Sequence, residues 1–218
     1  MRVVTIDGPA GAGKSTVSRL LAQRLGWRLL DTGAMYRAVA LAALRRGIDL
    51  EDEEALGSLA ERLTVRLRPD GVLLDGEEVT DAIRTEEVTG ATRFPAGNPR
   101  VRRQLIAWQR AFASEHDTIA EGRDQGTIVF PEAPRKFFLT ASPEERARRR
   151  HAELIARGEA ATFAEVLRQL LERDLRDEER SIAPMKPALD ARTIDTTHMD
   201  LNQVTRLIED DLKAHGVI

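Results

Sequence analysis

The chain has 218 residues, 42% of them hydrophobic, and its 33 Lys+Arg against 36 Asp+Glu leave a formal net charge of −3. That length suits one domain with an insertion, or one and a half domains, and can bury a sizeable core; so slight an acidic balance argues against a general nucleic-acid binder. The absence of cysteine excludes disulfides, cysteine-ligated zinc and thiol catalysis.

No stretch approaches the roughly 18 consecutive apolar residues of a membrane span, and the N-terminus leads into a strand without a signal-peptide pattern. A soluble, cytoplasmic protein is expected. Of the basic residues only Lys14, Lys136, Lys186 and Lys213 are lysine, so nearly all the cation is guanidinium. Arginine grips phosphate bidentately, which suits a site holding several phosphates; a GC-rich or thermophilic source would give the same surface composition.

The first predicted strand, 2–7, carries Val3, Val4 and Ile6. It runs into Gly8, Pro9, Ala10, Gly11, Ala12, Gly13, Lys14, Ser15 and Thr16, which fit the phosphate-binding pattern G-x-x-x-x-G-K-[ST]. Val17, Leu20, Leu21 and Leu25 then recur at helical spacing, and Gly26 supplies a stop. A merely connecting turn needs neither Lys nor Ser there. The glycines let successive backbone N–H groups wrap an anion, Lys14 would reach the β- and γ-phosphates, and the Ser15 hydroxyl would help hold Mg²⁺.

A second strand, 28–31, leads to Asp31, Thr32, Tyr36 and Arg37, at the carboxyl edge where open parallel sheets bind ligands. Residues 63–100 break the rhythm: 63–68 alternates, Pro69-Asp70-Gly71 is a turn and 72–75 returns, which predicts a small antiparallel insertion. The strand 117–121 ends on Glu121 and is followed by Arg123 and Asp124. After the strand 135–140, Ser142 with Glu145 and Thr162 with Glu165 read as capping boxes. The Arg- and Glu-rich run from about 143 to 182 is either a solvated helical face or a lid; within it Arg173, Asp177 and Arg180 fall on one helical face. A last strand, 192–195, precedes a helix striped by Val204, Leu207, Ile208 and Leu212. This alternation predicts an α/β fold, a mostly parallel five-stranded sheet covered on both faces.

In order along the chain, Gly8–Thr16, Leu30–Arg37, Asn98-Pro99-Arg100-Val101-Arg102, Glu121–Asp124 with Gly126–Pro131, and Arg173–Arg180 running into Ala183–Ala188 resemble the motifs of bacterial cytidylate kinases. The resemblance covers almost the full chain. It implies a P-loop kinase core (1–218), with 63–100 as the monophosphate-binding insertion and about 143–182 as a short helical lid. It also implies a monomer that transfers the γ-phosphoryl group of ATP to CMP or dCMP with Mg²⁺, in pyrimidine metabolism. Lys14, Arg123 and Arg180 would be catalytic. Arg37, Arg123 and Arg180 match positions that hold the acceptor phosphate, Asp177 with Arg173 the sugar-contacting pair, and Arg102 and Asp124 the readers of cytosine. Thr32 and Arg93 fall among the acceptor-binding positions, and some of Arg146, Arg148, Arg149 and Arg150 would reach the triphosphate.

The chain departs from the family where Arg93 replaces a usual serine, Glu121 a usual aspartate and Gln125 a common apolar residue. The alternative is another small-molecule kinase of the same loop class, such as one for adenylate or shikimate; the insertion and the Asn98–Arg102 motif count against it. A nucleotide-dependent switch has no need of a second arginine-rich anion site.

Overall fold

A computed structural model describes residues 1–218. Its centre is a five-stranded sheet in the order β2-β6-β1-β7-β8, with β1 Val3–Asp7, β2 Arg28–Asp31, β6 Thr118–Glu121, β7 Arg135–Thr140 and β8 Arg192–Asp195. Every neighbouring pair is parallel. Successive side chains of a strand point to opposite faces, and the core divides accordingly. Val4, Ile6, Ile119, Phe137, Leu139 and Ile194 pack with α1 (Lys14–Leu25) and α9 (Leu201–Ala214). Leu30 and Ala120 join the opposite core with α2 (Thr32–Arg45), α3 (Glu53–Ala60) and α6 (Pro99–Glu115). Burying each of the larger aliphatics stabilises the fold by about 1.5–3 kcal/mol.

The register brings the strand ends together. Ile6 pairs with Glu121 and Asp31 with Glu121, so Asp7, Asp31 and Glu121 end three adjacent strands at one edge. The helices that leave this edge have local stops and starts. Asp31 caps α2 by accepting from Ala34 N at 2.8 Å. Asn98 caps α6 by accepting from Arg100 and Val101 N, and Pro99 occupies the first turn, where its missing N–H costs nothing.

The segment 63–100 is only partly the antiparallel insertion expected. β3 (Val65–Arg68) and β4 (Gly71–Leu74) pair antiparallel around the expected turn, and a two-residue strand β5 (Glu77–Glu78) completes a small sheet. Beyond it the chain is helical: a 3₁₀ turn at Ala82–Arg84, then α4 (Glu86–Ala91) and α5 (Arg93–Gly97). Thr85 starts α4 by accepting from Val88 N, and Ile83 and Val88 anchor the segment in the core around α2.

Helices α7 (Pro143–Ala156) and α8 (Phe163–Glu178) carry the arginine-rich stretch. The box at Thr162 and Glu165 is complete, whereas that at Ser142 is half formed. Ser142 Oγ accepts from Glu145 N, but Thr197 Oγ1 takes the Ser142 N–H and the Glu145 carboxylate turns to Arg148 and Arg149. Arg180 is not on a helical face with Arg173 and Asp177, because α8 ends at Glu178. No helix is long and apolar enough to cross a membrane.

Candidate active site

The loop between β1 and α1 needs its glycines for different reasons. Gly8 has φ 138°, and a Cβ there would lie 1.9 Å from the Leu139 carbonyl oxygen, so the loop rests directly on β7. Gly11 has φ 77° and passes 2.9 Å from Arg146 Cβ by the same measure. Lys14 opens α1, and its ammonium donates to the Pro9 carbonyl at 2.7 Å across the loop. Burial, with Arg123 nearby, lowers the Lys14 pKa.

A cleft of about 1720 Å³ opens at the carboxyl edge of the sheet. It is lined by the loop from Ala10 to Thr16, and Gly8 and Pro9 lie buried beneath. Each residue assigned to the acceptor also lines it: Thr32, Arg37, Arg93, Arg102, Arg123, Asp124, Arg173, Asp177 and Arg180.

Within the cleft the arginines are tethered by carboxylates. Arg123 Nε donates to Asp177 at 3.2 Å, and Arg180 reaches the other oxygen of the same carboxylate. Asp177 therefore orients two guanidinium forks. Arg37 lies 3.5 Å from Asp31. Arg102 is buried on α6, paired with Asp124 and donating to Tyr36 Oη at 3.1 Å. Arg93 is exposed and stacks on Phe94, its guanidinium carbon 4.6 Å from the ring centroid. Arg173 makes no ion pair; burial beside Arg123 lowers its pKa to about 10.

The arginines of α7 divide sharply. Arg146 does not line the cleft: its guanidinium is buried against Asp174 and donates to the Ala10 carbonyl at 3.2 Å and the Ala141 carbonyl at 3.0 Å. It supports the loop from below. Arg149 lines the cleft near Gly13, held by Glu145 and by the Thr196 carbonyl at 2.6 Å. Arg148 and Arg150 line the outer cleft in ion pairs with Glu145 and Glu153. Glu145, between Arg148 and Arg149, is held down to about 2.

Two carboxylates end strands at this edge: Glu121, which opens the Glu121–Asp124 motif, and Asp7, which nothing in the sequence marks beyond ending a strand. Glu121 Oε1 accepts from Ser15 Oγ at 2.6 Å, while Oε2 is buried with no hydrogen-bond partner. Burial and the neighbouring Asp31 raise the Glu121 pKa. Asp7 accepts from the N–H groups of Gln125 and Gly126. Burial lifts its pKa to about 6.

The family model for cytidylate kinase matches residues 4–214. Curated relatives named cytidylate kinase include one from Pseudomonas savastanoi pv. phaseolicola, 47% identical over 221 residues that cover 99% of this chain and 96% of the relative. Another, from Pseudomonas aeruginosa, is 50% identical over 212 residues covering 94% and 93%. Among solved structures, that of an uncharacterized protein from Eubacterium ventriosum superposes with a TM-score of 0.52 at 12% identity, covering 98% of this chain and 99% of that one, a likeness of fold. The chain belongs to the cytidylate kinase family.

Proposed function

We propose that the protein transfers the γ-phosphoryl group of ATP to CMP or dCMP, giving ADP and CDP or dCDP. The observation that carries this reading is the shared cleft. A phosphate-binding loop and a second cluster of arginines face one space, and the Arg102–Asp124 pair lies in the same wall. Phosphoryl transfer needs two anions aligned in line and their charge neutralised as a loose transition state forms, with little covalent help from protein.

On this reading the loop amides and Lys14 hold the ATP phosphates, and Lys14 follows the charge that develops between β and γ. Arg37, Arg123 and Arg180 hold the acceptor phosphate, with Asp177 orienting two of the three. Asp177 and Arg173 face the sugar. The Asp124 carboxylate accepts from the cytosine amino group, and Arg102 donates to N3 or O2. Thr32 and Arg93 flank the acceptor, and Arg149 is the lid arginine nearest the triphosphate.

Ser15 and Glu121 fit a magnesium ion, since both offer hard oxygen donors and one buried Glu121 oxygen lacks a partner. Held there, Mg²⁺ would supply positive charge against the phosphates of ATP during transfer. The segment 63–100 acts as the monophosphate-binding region and 143–182 as the lid of a monomeric cytoplasmic enzyme that takes small molecules and no nucleic acid. A coupled assay of ADP release across the nucleoside monophosphates tests the reading: only a kinase for the added acceptor releases ADP in proportion to it.

A further inference from the structure

Asp124 occupies the N-cap position of a single π-helical turn, Gln125–Val129, with φ −143° and ψ 21°. An aspartate at such a position ordinarily folds its carboxylate back onto the first free N–H groups of the turn. Here its side chain makes no capping bond. The leading N–H groups are taken from another strand. Asp7 Oδ1 accepts from Gln125 N at 3.0 Å and Asp7 Oδ2 from Gly126 N at 2.8 Å. Only the Asp124 carbonyl serves the turn, accepting from Ile128 N at 2.9 Å. The Asp124 carboxylate is left to Arg102, which Tyr36 steadies from the other side.

Asp7 itself does not line the cleft and is only 5% exposed. It ends β1, immediately before the phosphate loop, so one residue joins the strand that launches the loop to the turn that carries Arg123 and Asp124. Both of its oxygens are used, and each use removes a donor that would otherwise capture Asp124.

We propose that Asp7 is a positioning residue for acceptor choice: by satisfying the two leading N–H groups of the turn, it keeps the Asp124 carboxylate facing Arg102 and the base of the acceptor. This rests on the reading of Asp124 as the reader of the cytosine amino group. An asparagine at position 7 has one acceptor oxygen and a donor in place of the other, so one N–H of the turn loses its partner and becomes available to Asp124. The charged groups that face Asp7 are Lys14 on α1 and Asp124 on the turn.

The experiment compares kcat/KM for CMP and for UMP, with KM for ATP, in the unmodified enzyme, Asp7→Asn, Asp124→Asn and the double variant. The preference for CMP over UMP should fall about fivefold in Asp7→Asn, the size of coupling expected between groups in one network, through a higher KM for CMP. KM for ATP should hold, and Asp7→Asn should have no further effect on the preference once Asp124 is Asn. A purely structural Asp7 would lower all acceptors alike. An unchanged preference in folded Asp7→Asn, or equal and additive effects in both backgrounds, overturns the proposal.

Should Asp7→Asn not fold, the unmodified enzyme serves: the CMP/UMP ratio, in which the shared phosphate ionisation cancels, should narrow from about pH 7.5 to about pH 5.5 as Asp7 takes up a proton. A constant ratio overturns the proposal. An unmodified enzyme that releases no ADP with CMP fails the proposed function instead, and the two failures are distinguishable.

Discussion

Arg146 and Asp174 form a buried ion pair that clamps α7 to α8 while the same guanidinium holds the Ala10 carbonyl of the phosphate loop. The donor loop and the helix that carries Arg173 and Asp177 are therefore coupled through one side chain. Removing one partner of a buried pair leaves an uncompensated charge, so Arg146→Ala should cost about 3–5 kcal/mol in denaturant unfolding. A loss below about 1 kcal/mol, the range of exposed pairs, would show that the pair is not buried in solution.

Lys14→Ala should lower kcat by about 10² or more, because a preorganised cation is removed from charge that shifts in the transition state. Its ammonium donates to the Pro9 carbonyl and forms no salt bridge, so the substitution breaks no ion pair of the fold. Circular dichroism and thermal melting should match the unmodified protein. Near-normal turnover in the folded variant would reject the assignment of the loop.

Arg123→Ala and Arg180→Ala should each raise KM for CMP and lower kcat, with KM for ATP much less affected. Each frees one oxygen of Asp177 and loosens the remaining fork. Misplacing an acceptor by about 1 Å can cost on the order of 10² in rate. Weakened ATP binding with CMP spared would show the roles reversed.

Asp7 also leaves a mark on stability. Its folded pKa is raised to about 6, above the ordinary aspartate value of 3.8. Between these values the folded state holds a proton that the unfolded chain has lost, so the Asp7 contribution falls as pH rises through this window and is level above it. The contribution is about 3 kcal/mol at most for a shift of this size. Asp7→Asn should flatten the stability profile between about pH 4 and pH 6, read as the difference in denaturant midpoints; an unchanged slope would show that Asp7 titrates normally.

Much of this site was legible in the sequence because its parts follow strand ends. β2, β7 and β8 match their predicted bounds, and β1 and β6 begin one residue later than expected. A buried parallel strand is a short apolar run, and the phosphate loop is punctuated by glycines at positive φ, which side-chain-bearing residues rarely adopt. What escaped depended on partners far away in sequence. Arg146 reads as one of four lid arginines until Asp174 is brought against it. Asp7 reads as the end of a strand until the turn at Gln125 supplies two N–H groups 118 and 119 residues away. The helices at 86–97 are too short for periodicity to declare them, and they are held by packing on α2 rather than by local propensity.

Asp124 gives the base its most specific test. UMP presents a carbonyl oxygen where CMP presents an amino group, so the carboxylate would face an acceptor. An amide at position 124 can donate to that oxygen, and Asp124→Asn should narrow the CMP/UMP gap. On the proposed reading, Arg93 stands where the resemblance puts a serine and would alter one neutral hydrogen bond to the base, worth about 1 kcal/mol, so the order of preference should stay intact.

The most direct measurement is kcat/KM for CMP, dCMP, UMP and AMP with the unmodified enzyme, followed by ADP release. A site built to pair with the amino group rejects an analogue lacking it, so CMP and dCMP should exceed UMP by at least roughly tenfold. Equal use of CMP and UMP, or ADP release that does not respond to CMP, would contradict the account.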